Sequence, residues 1–80
     1  MDILAIDNDP IFLKFVEKFL VDEGHTVLTA HDGLSALDAL KSFSPEFFFI
    51  DYVMPNIDGK AFCHLLRNDP QYKSVYIVLL

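Results

Sequence analysis

Several things are scarce in this chain of 80 residues, and each scarcity removes a class of answer. One cysteine, Cys63, cannot close an internal disulfide or supply a cysteine metal cluster. Six basic residues stand against twelve acidic ones, a net charge of −6. That balance argues against a nucleic-acid face or an anionic-membrane binder, and its ordinary use is solubility. Only three glycines and four prolines are present, in no low-complexity tract and no repeat, so disorder is not expected. No apolar run approaches the ~20 residues that cross a bilayer, and the start, Met-Asp-Ile-Leu, lacks the basic and apolar stretches of an export signal. A cytoplasmic location is the expectation.

What is present is grease: 52% of residues are apolar and eight are phenylalanine. A single small domain over 1–80 is expected, with a core rich enough to offset its size. "DILAI" (2–6) reads as a short buried strand, and "DNDP" ends it. Pro10 suits the first turn of a helix that Asp9 can cap. Phe12, Phe15, Val16, Phe19 and Leu20 recur at helical spacing as the expected core side of that helix, and Gly24 closes it. "HTVLTA" (25–30) alternates as a second strand. A second helix is expected from about Leu34 to Phe43, its apolar side Leu34, Ala36, Leu37 and Leu40. "EFFFI" (46–50) is apolar on both faces, the pattern of an interior parallel strand covered on both sides. Asp58 can cap a third helix containing Ala61, Phe62, Leu65 and Leu66, and "VYIVLL" (75–80) is a fourth strand.

Alternating strands and helices with short links imply right-handed crossovers and a doubly wound parallel α/β sheet. Ligands gather at the carboxyl ends of strands in such sheets. Two acidic places fall there: Asp7, Asn8 and Asp9 after the first strand, and Asp51 after the third. If those strands are neighbours, their tips lie about 5 Å apart. Carboxylates that close hold a proton between them or share a cation. Oxygen donors suit Mg²⁺ or Mn²⁺, and a carboxylate beside such an ion can attack a phosphoryl group. His25, His31 and His64 are too scattered for a shared metal site.

"ILAIDNDP" followed by "FFFIDYVMPNIDG" resembles the receiver domain of two-component response regulators, and the likeness spans essentially the whole chain. Its most specific part is D-x-x-M-P-x-x-D-G from Asp51 to Gly59. The resemblance implies a flavodoxin-like (CheY-like) fold and makes Asp51 the acceptor of a phosphoryl group from a histidine kinase or phosphotransfer protein. It implies Mg²⁺ (or Mn²⁺) held by Asp7, Asn8, Asp51 and the backbone carbonyl of Val53. Met54, Pro55, Asp58 and Gly59 would shape the supporting loop. The domain would modify itself rather than turn over a substrate, so no enzyme is expected.

Two departures from the family pattern stand out. The second residue of the acidic pair is Asn8, an oxygen donor without charge, which should weaken metal affinity. The chain also stops at Leu80, short of the hydroxyl, the lysine strand and the final helix that the family pattern continues with. The expectation is therefore a C-terminally truncated receiver lacking the full switch, and a homodimer paired through the exposed fourth strand. Two alternatives stay open: a receiver-like interaction module that takes up no phosphate, and a haloacid-dehalogenase-type phosphatase fragment using Asp7 and Asp9.

Overall fold

The computed structural model describes residues 1–55 and 57–80. In chain order the elements are β1 (Asp2–Ile6), α1 (Pro10–Asp22), β2 (Thr26–Ala30), α2 (Gly33–Ala39), β3 (Phe47–Ile50), α3 (Gly59–Arg67) and β4 (Tyr76–Leu79). The four strands form one parallel sheet in the order β2-β1-β3-β4. Stepping from β2 inward to β1 and then outward to β3 reverses the winding between β1 and β3. Those are the two strands that carry the acidic tips.

Each helix starts where a short acidic side chain can take its free amides. Asp9 accepts from the amides of Ile11 and Phe12, and Pro10 needs no partner in the first turn. Asp32 accepts from Ser35 N–H, and Asp58 from Ala61 N–H. Gly24 ends α1 at φ 96°, a left-handed conformation that glycine adopts without strain.

The core lies between the sheet and α2 and α3. Leu4, Ile6, Phe48 and Ile50 point to that side and meet Ala36, Phe62 and Leu66, all nearly or fully sealed from solvent. Tyr72, to which the sequence assigned no role, is buried there with its ring edge-on to Phe48 at 5.7 Å. At the far end of α3, the Arg67 guanidinium donates to the carbonyls of Tyr72, Lys73 and Val75. One cation thus closes the loop into β4, a use that a basic residue in a last helical turn could have suggested.

Several expectations fail on the opposite side. Of α1, only Leu13 is buried, while Phe12, Phe15 and Phe19 are 41%, 76% and 62% exposed. The helix lies over β1 and β2, and among the described residues nothing covers β3 and β4 on that side. Phe47 and Phe49 are consequently half-buried, so β3 is not sealed on both faces. The result is an open apolar groove of about 260 Å³ walled by Phe12, Phe15 and Phe19 and floored by Phe49 and Leu80. Helix α2 is also shorter than its periodicity suggested, ending at Ala39 with Leu40 as its cap. Leu34, Leu37 and, on α3, Leu65 are exposed, because the inward positions go to the smaller Ala36 and to Phe62 and Leu66.

Candidate functional site

Register decides where the acidic residues go. Ile6 lies opposite both Ala30 and Ile50 at the last rung of the ladder. The next residue on each central strand is the first free of it. Asp7 N–H still donates to the Ala30 carbonyl (3.1 Å), and Asp51 N–H to the Ile6 carbonyl (2.9 Å). Backbone bonds therefore hold both aspartates at neighbouring carboxyl tips. Behind each stands an apolar run, residues 3–6 and 47–50, which fixes position without competing for the side chain.

The carboxylates are oriented locally as well. Asp7 Oδ1 accepts from Asp9 N–H at 2.9 Å, and Asp51 Oδ1 accepts from Val53 N–H at 3.2 Å. Asp7 is held above the ordinary carboxylate value of 3.8. Burial is the largest cause, partly offset by the Asp9 amide; the charges of Asp51 and Asp9 and a side-chain hydrogen bond with Asp51 push the same way as burial. Register thus brings the two carboxyl groups near enough for the Asp51 charge to act on Asp7.

Beyond Asp51 the loop is pinned from three directions. Met54 turns into the core with 8% exposure, whereas Val53 and Pro55 face solvent. Tyr52 donates its N–H to the Leu80 carbonyl and accepts at its own carbonyl from Gly59 N–H, both within 2.9 Å. Gly59 has no alternative residue. A Cβ there would sit 2.5 Å from the Asp51 carbonyl oxygen, 2.7 Å from Leu79 Cδ1 and 2.8 Å from the Tyr52 Cα. The double backbone role of Tyr52 leaves no trace in residue type, so only coordinates reveal it.

Asp9 is not free for chemistry, because its carboxylate caps α1. One of its oxygens is committed to helix amides, which disfavours the phosphatase alternative that needs Asp9 as its acid. Asn8 is exposed on the bend between Asp7 and the cap. Among the described residues no three His, Cys, Asp or Glu side chains group as a metal cluster. The acidic donors present are a pair, Asp7 and Asp51. This suits Mg²⁺, which keeps several waters and takes only one or two carboxylates.

Comparison with known proteins gives one consistent answer. The family model for the response regulator receiver domain matches residues 3–80. Protein PilG of Pseudomonas aeruginosa is 31% identical over 80 residues, all of this chain and 59% of that protein. The chemotaxis response regulator CheY4 of Vibrio cholerae is 31% identical with a TM-score of 0.92, covering 98% of this chain and 65% of its own. A receiver domain of the sensor histidine kinase PA1611 from Pseudomonas aeruginosa, solved with a magnesium ion coordinated in its active-site cleft, shares the fold. Its TM-score is 0.88 at 22% identity, over 98% of this chain and 64% of its own. This chain therefore spans about two thirds or less of the length of the proteins it matches.

Proposed function

Since this chain belongs to the response regulator receiver domains, we propose that Asp51 is its phospho-accepting residue and that Asp7, Asp51, Asn8 and the Val53 carbonyl are its Mg²⁺ ligands. The observation that carries the reading is the register that sets Asp7 and Asp51 at adjacent strand tips, where the Asp51 charge adds to burial in raising the Asp7 pKa. A bound Mg²⁺ would neutralise that pair and the phosphoryl oxygens brought against it. Asn8 supplies an oxygen but no charge, so affinity is lower than for two carboxylates plus Asp51.

The reaction is a transfer from a phosphohistidine on a histidine kinase or phosphotransfer protein. An Asp51 carboxylate oxygen attacks the phosphorus, the P–N bond breaks, and the imidazole nitrogen departs with the electron pair. Asp51 becomes an acyl phosphate. Backbone bonds to Ile6 and Val53 hold Asp51 in position through this step. The product stays on the chain, so the domain is an acceptor rather than a turnover enzyme.

Acetyl phosphate with Mg²⁺, followed by mass analysis of intact protein and peptides, tests the assignment. A phosphoryl increment on the Asp51 peptide, absent in Asp51→Asn and in chelator, supports it. No increment at saturating Mg²⁺ would leave the chain as a receiver-like interaction module. A second copy paired along β4 is the remaining part of the proposal. Among the described residues β4 is the sheet's outer strand, bonded to β3 alone, and its Tyr76, Leu79 and Leu80 are exposed.

A further inference from the structure

The outer edge of β4 is short enough to account for group by group. Tyr76 N–H donates to the Glu46 carbonyl, Leu80 N–H donates to the Ile50 carbonyl, and the Leu80 carbonyl accepts Tyr52 N–H. With Val78 opposite Phe49 in the parallel ladder, residues 76, 78 and 80 turn their backbone groups to β3. Ile77 and Leu79 turn theirs outward, where no backbone partner meets them among the described residues. Just before them the Val75 carbonyl accepts from the Arg67 guanidinium at 2.9 Å, so the edge is closed at its start. What stays open is one N–H and one C=O on each of Ile77 and Leu79. They lie in "VYIVLL", which has no charge, glycine or proline. Apart from its shortness, this edge carries none of the usual blocks to strand pairing.

Resting on the β4 pairing put forward above, we propose its form: two copies join β4 to β4 antiparallel, about a two-fold axis through Val78. Ile77 then faces the partner's Leu79, and Leu79 faces the partner's Ile77, each as a pair that exchanges both hydrogen bonds. Every open group on both edges is thereby used, and the contact is the same on each copy, as a closed dimer requires. The neighbouring registers do worse. An axis through Ile77 sets Leu79 against Val75, whose carbonyl Arg67 already takes. An axis through Leu79 leaves Ile77 without a partner in these 80 residues. A parallel pairing would need an axis along the strands, which turns equivalent residues to opposite faces. On the α1 side the antiparallel register also carries the aromatic surface across the boundary. Tyr76 stacks on Phe47 there, Leu80 floors the groove beside Phe49, and both Tyr76 and Leu80 are exposed. Leu80 comes to stand opposite the partner's Tyr76 at a non-hydrogen-bonded position, where side chains approach most closely. Each copy thus supplies the ring that covers the other's Leu80.

Isotope-filtered nuclear magnetic resonance on a mixture of labelled and unlabelled native protein tests the register. A cross-peak between the Tyr76 ring and the Leu80 methyls is expected. Within one copy those residues stand about 13 Å apart along the strand, so the peak can arise only between copies. Disulfide formation in a Cys63→Ser background, which removes the chain's own thiol, gives a second readout. Val78→Cys is expected to cross-link, because Cα atoms of a non-hydrogen-bonded pair lie about 4.5 Å apart, within disulfide reach. Ile77→Cys is expected to stay reduced, since its two copies sit diagonally at about 7–8 Å. A sedimenting dimer without the Tyr76–Leu80 peak, or one that cross-links through Ile77→Cys and not Val78→Cys, overturns the register while the dimer itself stands. A monomer at every concentration overturns the register together with the pairing on which it rests.

Discussion

At the residue scale the chain divides its aspartates by environment. Asp9, Asp32 and Asp58 spend their carboxylates on helix amides, whereas Asp7 and Asp51 each take one loop amide and stand at neighbouring strand tips. Asp7 gives the clearest pH behaviour. Its folded-state pKa is raised, so the native state binds the proton more tightly than the unfolded chain. The associated stability is present at low pH and is lost as pH rises from about 3.8 through the raised value. Asp32 has the opposite sign, contributing above 3.8 and losing its contribution as pH falls through its lowered value. In chelator at pH 7, Asp7→Asn is therefore expected to raise the thermal midpoint, measured by circular dichroism, while weakening Mg²⁺ binding. A lower midpoint would show that the carboxylate stabilises the apo fold. For Gly59→Ala the backbone of Asp51 and Tyr52 blocks the new Cβ, and the expected cost is about 1–3 kcal/mol, typical of overpacking, read from urea denaturation.

The caps and strands show what could be read from residues alone. Asp9-Pro10 and Asp58-Gly59 announce helix starts through side-chain chemistry that acts over three or four residues, and both sit where expected. Asp32 does the same job, but the expected helix began later, at Leu34, and its cap went unnoticed. Periodicity told which helix positions are apolar but not which surfaces would cover them. Thus Phe15 and Phe19, read as core, face an open groove. Coverage is a property of how elements meet, and no local pattern encodes it. The same reasoning predicts opposite outcomes for two phenylalanines. Phe48→Ala, at a position with no exposure, is expected to cost about 3–5 kcal/mol. Phe15→Ser, at 76% exposure, should stay within about 0.5 kcal/mol. Equal losses in denaturant titrations would mean that α1 packs differently from this arrangement.

For the whole molecule, topology makes the site and also leaves the surface problem. The order β2-β1-β3-β4 sets the two acidic strands side by side. The same order places β4 at an edge, next to the uncovered aromatic face of β3. Phe47 stacks on Tyr76 at 6.1 Å across that face, so edge and face form one continuous apolar surface. Pairing of two copies along β4 is expected to appear in sedimentation equilibrium as a concentration-dependent dimer. Replacing Leu79 by proline removes a backbone donor from the free edge of β4, since the Tyr76 and Leu80 amides that flank Val78 in alternation point to β3, and should shift the species to monomer. A monomer at all concentrations would contradict the pairing.

One cation shared between two strand tips is the central expectation for this molecule, and Mn²⁺ titration followed by nuclear magnetic resonance checks it at the residues concerned. The amide signals of Asp7, Asn8, Asp51 and Val53 are expected to broaden together at the lowest Mn²⁺ concentrations, in the protein as it stands. In Asp7→Asn or Asp51→Asn, that selective broadening should weaken by at least about 10-fold in the Mn²⁺ required, as expected when one charge of a two-carboxylate site is removed. Broadening centred elsewhere, or unchanged in both variants, would contradict the shared site.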